Sequence, residues 1–308
     1  MDSIRRPYTE DVLAELDHLR LFRDIVDLGN VSRGAARHGI TQSAASQQIR
    51  ELERRLGTKL LDRSTRPISL TPAGKLYDHM CRDILRRLDE FQAGLQTLEG
   101  AVEGVVGVAS IYSVGLGEMA RLQEEFTKRY PRATMQVDYM HPDKVYTAVE
   151  EGRADIGLVS YPRATRELEA RPWKKEEMVL AVAPVHPLAA RKKVRPEDFK
   201  GVDFVTFDEH LPIRRDIDHY LREQHVEVNR KMTFDNIASI KEAIGLGTCV
   251  GILPSPMMHA EVSAGLLRAV PLKKPLVRPM GILLRKRGAL APAAEKSLEL
   301  LRGVSALA

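Results

Sequence analysis

Three glycines, Gly29, Gly39 and Gly57, cut an early stretch of the chain into helical pieces too short to be stable alone. In residues 17–28, Leu19, Phe22, Ile25 and Val26 recur at three- and four-residue spacings and make one apolar face. Gly29 suits the position just past a helix end. A second short helix is expected over residues 32–38, with Ser32 as its cap and the small pair Gly34-Ala35 letting another helix cross closely. Gly39 turns the chain, Ile40 enters the core, and Thr41 caps a third helix, Gln42–Leu56. There Ala45, Ile49, Leu52 and Leu56 are expected to point inward, leaving Gln42, Ser43, Ser46, Gln47 and Arg50 outward. Such pieces must pack on one another, and two short helices joined by a glycine turn form a helix-turn-helix.

The outward residue types suit a nucleic-acid groove. Glutamine pairs bidentately with adenine, serine is a short adaptable donor, and arginine reaches guanine or phosphate. Two extended segments, around 60–62 and 68–70, flank a basic tip and make a wing, whose Arg63 and Arg66 suit a minor groove or phosphates. Residues 30–75 hold nine Arg/Lys against three carboxylates, a net +6 in a chain whose whole net charge is +5. That concentration is the electrostatic footprint of a phosphate-backbone binder.

Thr71 caps, and Pro72 opens, a long helix, Pro72–Leu98. Leu76, Met80, Ile84, Leu88, Phe91 and Leu95 make an apolar stripe along it, most simply covered by a second copy of the same helix.

The run Gly29-Asn30-Val31-Ser32-Arg33-Gly34-Ala35, then Thr41-Gln42-Ser43-Ala44-Ala45-Ser46-Gln47-Gln48-Ile49-Arg50-Glu51-Leu52-Glu53, resembles the LysR-type transcriptional regulators. Leu56-Gly57, Leu60-Leu61-Asp62-Arg63 and Leu70-Thr71-Pro72-Ala73-Gly74 extend the match. The family usually has a leucine-like residue at His38, a valine-like one at Ala45, and often arginine at Gln47; the last of these departures bears on base preference, not on binding. The resemblance implies a winged helix-turn-helix on double-stranded DNA, with Ser32, Arg33, Thr41, Gln42, Ser43, Ser46, Gln47, Arg50, Arg63 and Arg66 as contacts. It implies a pseudo-palindromic operator, a homodimer that often goes on to a homotetramer, and RNA polymerase as a candidate partner.

Beyond residue 101 the pattern becomes α/β. Strands are expected at 104–110, 133–139, 155–160, 177–183, 204–207, 230–234, 250–253 and 280–285, with helices between most of them and one at 292–301. Alternation of this kind implies a mostly parallel sheet. The resemblance makes this region a two-lobed domain similar to type II periplasmic binding proteins, with crossings near 161–173 and 270–278. The expected organisation is an extension (1–15), a DNA-binding domain (16–75), a linker helix (76–100) and a regulatory domain (101–308). Lobe 1 is expected over about 101–165 and 275–308, and lobe 2 over about 170–270.

Ligands of open α/β sheets sit beyond the carboxyl ends of strands. Those ends supply Ser110, Tyr112, Ser113, Ser160, Thr206, Phe207 and Asn236 as effector contacts, and by resemblance they are the family's effector-contacting places. Ser113 near a helix start favours an anion, although no arginine is clearly placed inside. No Gly-x-Ser-x-Gly, no His-Glu-x-x-His and no acidic cluster with metal spacing is present, and the two cysteines form no CxxC, so neither an enzyme nor a resident metal or cofactor is expected. No apolar run approaches a membrane span, and the protein is expected in the cytoplasm. The function expected is a DNA-binding regulator answering to a small-molecule effector. A constitutive architectural DNA-binding protein is the alternative, but it has no need of the second domain.

Overall fold

The structure is a computed structural model describing residues 7–98, 102–114 and 116–305, with side chains described for these except at 7–15, 86, 89–90, 92–98, 116–117 and 304–305. Two compact units divide the chain at Glu99–Gly100. The fold class is the one expected: a helical winged helix-turn-helix with a long helix, then a two-lobed α/β unit.

The first unit contains α1 (Pro7–Leu28), α2 (Val31–Arg37), α3 (Gln42–Leu56), β1 (Leu61–Asp62), β2 (Ser69–Leu70) and α4 (Pro72–Leu98). Helix α1 starts at Pro7, ahead of the apolar period that begins near residue 17. Its Phe22 and Ile25 meet Ala35, Ala45, Ile49, Leu60 and Cys81 in one core, and Tyr77 stands edge-on to Phe22 with ring centroids 4.9 Å apart. A Cβ on Gly34 would lie 2.5 Å from Ile25 Cγ1, so α1 and α2 touch as closely as backbones allow. The α2 cap is Asn30, not Ser32: Asn30 Oδ1 accepts from the Arg33 amide at 3.1 Å. Helix α2 begins one residue early because Val31 must be buried, and that places Ser32 inside the first turn. Thr41 caps α3 as expected, accepting from the Ala44 amide at 3.1 Å. The wing strands pair antiparallel, Leu61 opposite Leu70. Thr71 Oγ1 accepts from the Gly74 amide and donates to Lys59 O, anchoring the start of α4 to the wing.

The second unit runs β3 (Gly104–Ile111), α5 (Leu116–Arg129), β4 (Ala133–Met140), α6 (Pro142–Glu150), β5 (Ile156–Ser160), β6 (Leu168–Val182), β7 (Asp203–Phe207), α7 (Pro212–Glu223), β8 (Asn229–Phe234), α8 (Ile237–Gly245), β9 (Gly251–Pro254), α9 (His259–Ser263), β10 (Arg268–Pro271), β11 (Val277–Arg285) and α10 (Pro292–Ser305). A sheet runs β10-β6-β11-β5-β3-β4, with β9 also on β6 and a separate β7-β8 pair. It is mixed rather than mostly parallel. Helix-connected strands pair parallel (β3 with β4 and β5, β7 with β8), whereas every pairing of β6 or β11 is antiparallel.

Two cores define the lobes. One gathers Val108, Phe126, Ile156, Leu158, Ile282 and Leu301, and the other Phe199, Phe204, Ile217, Ile244, Ile252 and Leu253. The crossings differ from expectation. Strand β6 is 15 residues long; its first part pairs with β11 and its last part with β9 and β10. The lobes are therefore joined by two hydrogen-bonded strands: the first crossing lies a few residues beyond the expected 161–173, and the second falls at the end of the expected 270–278. The charged residues 174–176 precede the strand expected at 177–183 and fall in no expected element. They are strand because their charges find partners: Lys174 meets Glu118, and Glu176 meets Arg278, directly opposite it in register.

Candidate nucleic-acid interface and inter-lobe cleft

Helix α3 exposes Gln42, Ser43, Gln47 and Arg50 on one side, and Thr41 lies exposed at its cap. Ser46 is a correction. It is 6% exposed, and its hydroxyl accepts from Gln42 Nε2 at 3.0 Å. It turns inward because it shares the face of Ala45 and Ile49, and from there it fixes the Gln42 amide. Arg50 Nε donates to the Ser46 carbonyl, which orients the arginine along the helix. Leu56 also departs from expectation: it stands 48% exposed at the last turn. Ser32 and Arg33 are exposed on α2, and Arg63 and Arg66 on the wing.

Sequence reasoning missed Glu53. It is 3% exposed, and its Oε1 accepts from the Leu60 and Leu61 amides at 2.9 and 3.2 Å. Its Oε2 lies 3.5 Å from Lys59 Nζ and 3.7 Å from Arg63 Nη2. One carboxylate thus joins α3 to the wing; the signal was an acid four residues after Ile49, on the inward face. Glu51 binds Arg54 and Arg55, which hold its carboxyl down at about 2, so those two cations are partly spent inside the protein. His38, where the family has an apolar residue, sits 2.8 Å from Asp24 Oδ2, and Arg37 lies 3.1 Å from Oδ1 of the same aspartate.

Helix α4 has two apolar faces. Tyr77, Cys81 and Leu85 face the core or are buried. Leu76, Met80, Ile84 and Phe91 are exposed, Leu76 by 78%, while Leu88 is half-buried. The Leu95 side chain lies outside the described residues. Arg82 is buried and binds Asp78 at 2.8 Å and Asp27 of α1 at 2.6 Å, locking α4 to the helix-turn-helix.

Of the seven residues expected to meet an effector, several have structural employment. Ser110 is fully buried and donates to Ile111 O. Thr206 and Phe207 are buried in lobe 2. Asn236 caps α8, accepting from the Ser239 amide at 2.9 Å. Ser113 Oγ accepts from Arg278 Nη1 at 2.9 Å, and Arg278 is 1% exposed. Ser160 is half-buried and Tyr112 is exposed.

The open space lies elsewhere. A cleft of about 550 Å³ opens between Tyr161, Pro162 and Arg163, just after β5, and Pro212, Arg215, Asp216 and His219 of α7, with Pro279 of β11 at its side. Tyr161 carries an unusual φ of 51°. Its amide donates to Pro279 O at 2.8 Å, and Pro162 fills the space where a Cβ on Gly281 would stand, 2.4 Å away. This conformation sends the Tyr161 hydroxyl across the cleft, where it donates to Asp216 Oδ2 at 2.8 Å. Burial and the aspartate together push the phenol above its ordinary range, so it stays protonated. Arg163 and Arg215 are exposed to the cleft and pair with no carboxylate among the described residues. The sequence places no arginine clearly inside the cleft; the structure brings Arg163 and Arg215 to this one, and the signal was the Tyr-Pro-Arg that follows β5. A further hollow of about 540 Å³ lies within lobe 1, lined by charges of both signs including Glu169, Arg171, Glu295 and Arg302.

Among the described residues no group of three or more His, Cys, Asp or Glu is placed to hold a metal, and no helix is long and apolar enough to cross a membrane.

A family model described as LysR substrate binding domain matches residues 99–306, and one described as bacterial regulatory helix-turn-helix protein, lysR family, matches residues 16–75. A probable RuBisCO transcriptional regulator of Cyanidioschyzon merolae is 29% identical over 266 residues, 84% of this chain and 88% of that protein. A full-length OxyR variant from Pseudomonas aeruginosa superposes with a TM-score of 0.72 at 18% identity, covering 95% of this chain and 94% of that one. The regulatory domain of Synechocystis CcmR, in complex with 2-PG, gives a TM-score of 0.60 at 19% identity, covering 66% of this chain and 98% of that one.

Proposed function

Because the chain belongs to the LysR family of DNA-binding transcriptional regulators, we propose that its regulatory unit senses a small organic anion held between the lobes by Arg163 and Arg215, and that occupancy changes how an oligomer of the chain sits on its operator. The observation that carries this is the pair of arginines: one from each lobe, facing one cleft, neither neutralised by a carboxylate among the described residues. Closing the lobes on an empty site crowds like charges. Closing them on an anion satisfies both, so the ligand differs in affinity between open and closed states, as a switch requires. The 2-PG in the CcmR regulatory domain supports a small molecule in this kind of unit.

On DNA, Gln42, Ser43, Gln47 and Arg50 read bases, while Ser32, Arg33, Thr41, Arg63 and Arg66 hold the backbone. Ser46 acts from inside by fixing Gln42. The exposed stripe of α4 pairs two copies across a pseudo-palindromic operator. Tetramers formed through the regulatory units, contact with RNA polymerase and a cytoplasmic location follow from the same reading, since a regulator works where the DNA is. A constitutive architectural role leaves the paired arginines without a use.

Calorimetry on the full-length protein against small carboxylates and matched amines tests the proposal. Arg163→Ala and Arg215→Ala should each weaken anion binding about tenfold or more. Binding of amines alone, or an anion affinity indifferent to both substitutions, overturns it.

A further inference from the structure

We infer that the cleft selects a monoanion carrying a free hydroxyl group: a hydroxylated monocarboxylic acid, not a plain acid or an amino acid. The inference rests on the assignment of this cleft as the effector site and adds the chemistry of its ligand. Two arginines, Arg163 and Arg215, face one carboxylate, Asp216, so these three leave the cleft at +1. His219, at the edge, adds nothing when neutral and is matched by Glu223 at 3.1 Å when charged. A net +1 is balanced by a single negative charge. An amino acid, neutral overall, would leave the excess in place, because its ammonium restores the charge that its carboxylate removes even where Asp216 accepts from it.

The second part of the argument is the polarity of the hydrogen-bonding groups. Tyr161 has one proton to give, and Asp216 Oδ2 receives it at 2.8 Å. A phenol that has donated keeps only lone pairs to offer, and an ionised carboxylate has nothing else. The Tyr161–Asp216 pair therefore presents acceptors beside the arginines, which present donors. A bare acid can satisfy the arginines but leaves the remaining lone pairs of that end without a donor, and a second anionic group placed there is repelled. A neutral hydroxyl donates to it without adding charge.

The pair is also held in place. Tyr161 adopts a φ of 51°, uncommon for a bulky residue. The Pro279 carbonyl on its amide and Pro162 seated against Gly281 keep it there. Such conformations persist where the surroundings over-determine them, as at ligand clamps.

The test is calorimetry on the full-length protein with matched acids: lactate, propionate and alanine; quinate, cyclohexanecarboxylate and 1-aminocyclohexanecarboxylate; 4-hydroxybenzoate and benzoate. In at least one set the hydroxylated acid should bind about tenfold tighter than its plain and amino counterparts. Asp216→Asn should close most of that gap, chiefly because the plain acid gains once the repelling charge is gone. Tyr161→Phe should narrow it without helping the plain acid. Plain acids that bind as well as hydroxylated ones, an amino acid that binds tightest, or a gap unchanged in Asp216→Asn each overturn the inference. If binding still requires Arg163 and Arg215 in those cases, the cleft assignment stands and only the hydroxyl preference is wrong. If no acid of the panel binds, or affinities ignore both arginines, the cleft assignment falls with it.

Discussion

Gln47 stands free on α3, while Gln42 is tethered to buried Ser46, so the two glutamines should not contribute alike. Gln47→Ala should lower affinity for the cognate operator by about 1–3 kcal/mol and leave random-sequence binding nearly unchanged in gel-shift titrations. Glu53→Ala should cost about 1–3 kcal/mol of stability in denaturant unfolding, because the Leu60 and Leu61 amides lose a buried acceptor. Cys81 offers a pH test. Burial pushes its thiol from 9.0 up to about 12, so the native state keeps a proton that the unfolded chain releases. Stability from this source is constant below about pH 9 and falls as pH rises towards 12. Cys81→Ala should remove that part of the alkaline loss in thermal unfolding at about pH 8 and about pH 10. Which residues α3 buries and exposes was largely legible, because type and spacing constrain each other, with Ser46 and Leu56 the exceptions. Residue roles were poorly legible in the second unit. A hydroxyl at a strand end has the same sequence signature whether it faces a cleft or lies buried, as Thr206 does, and a polar residue there can equally cap a helix, as Asn236 does. Arg163 and Arg215 looked like ordinary surface cations because the lobe that turns each into a cleft wall is remote in sequence.

At the scale of elements, α4 carries the most information. Its 27 residues span about 40 Å. The face of Tyr77, Cys81 and Leu85 belongs to the helix-turn-helix core, and that of Leu76, Met80 and Ile84 is exposed. Ile84→Asp should therefore split the oligomer in sedimentation while leaving the unfolding midpoint of the DNA-binding unit nearly unchanged, since only paired chains bury that position. Leu85→Ala, by contrast, should cost about 2–5 kcal/mol of fold stability. A dimer that survives Ile84→Asp places the seam elsewhere. The extents of α3 and α4 were readable because caps and proline mark their starts and periodicity fills their lengths. Strand β6 was not: its charged residues break the apolar alternation, and the partners that make them tolerable, Glu118 and Arg278, lie far away along the chain.

For the whole molecule, the proposed reading has charge set how tightly it holds DNA and the cleft set when. Arg63→Ala and Arg66→Ala should each weaken binding to every sequence and lower the salt slope by roughly one unit, since phosphate contacts carry no base information. Unchanged slopes in both would remove the wing from the contact surface. The two-lobed architecture was legible from strand–helix alternation and the family resemblance; the geometry of the joint was not, and it governs how the lobes can move. Strands β6 and β11 cross side by side and remain hydrogen-bonded through the crossing, with Arg278 opposite Glu176 and a single irregularity at Met280/Gly281. Such a joint is a torsion bar rather than a pair of strings. It resists gaping, which would tear its rungs, and yields to twisting, which keeps them. Amide hydrogens along residues 174–178 should therefore exchange slowly with and without ligand, while protection changes on the facing segments around Arg163 and Arg215. On the proposed reading, a joint of this kind need break no backbone hydrogen bonds when the lobes turn, so open and closed forms can stay close in energy and a weakly held ligand can tip the balance.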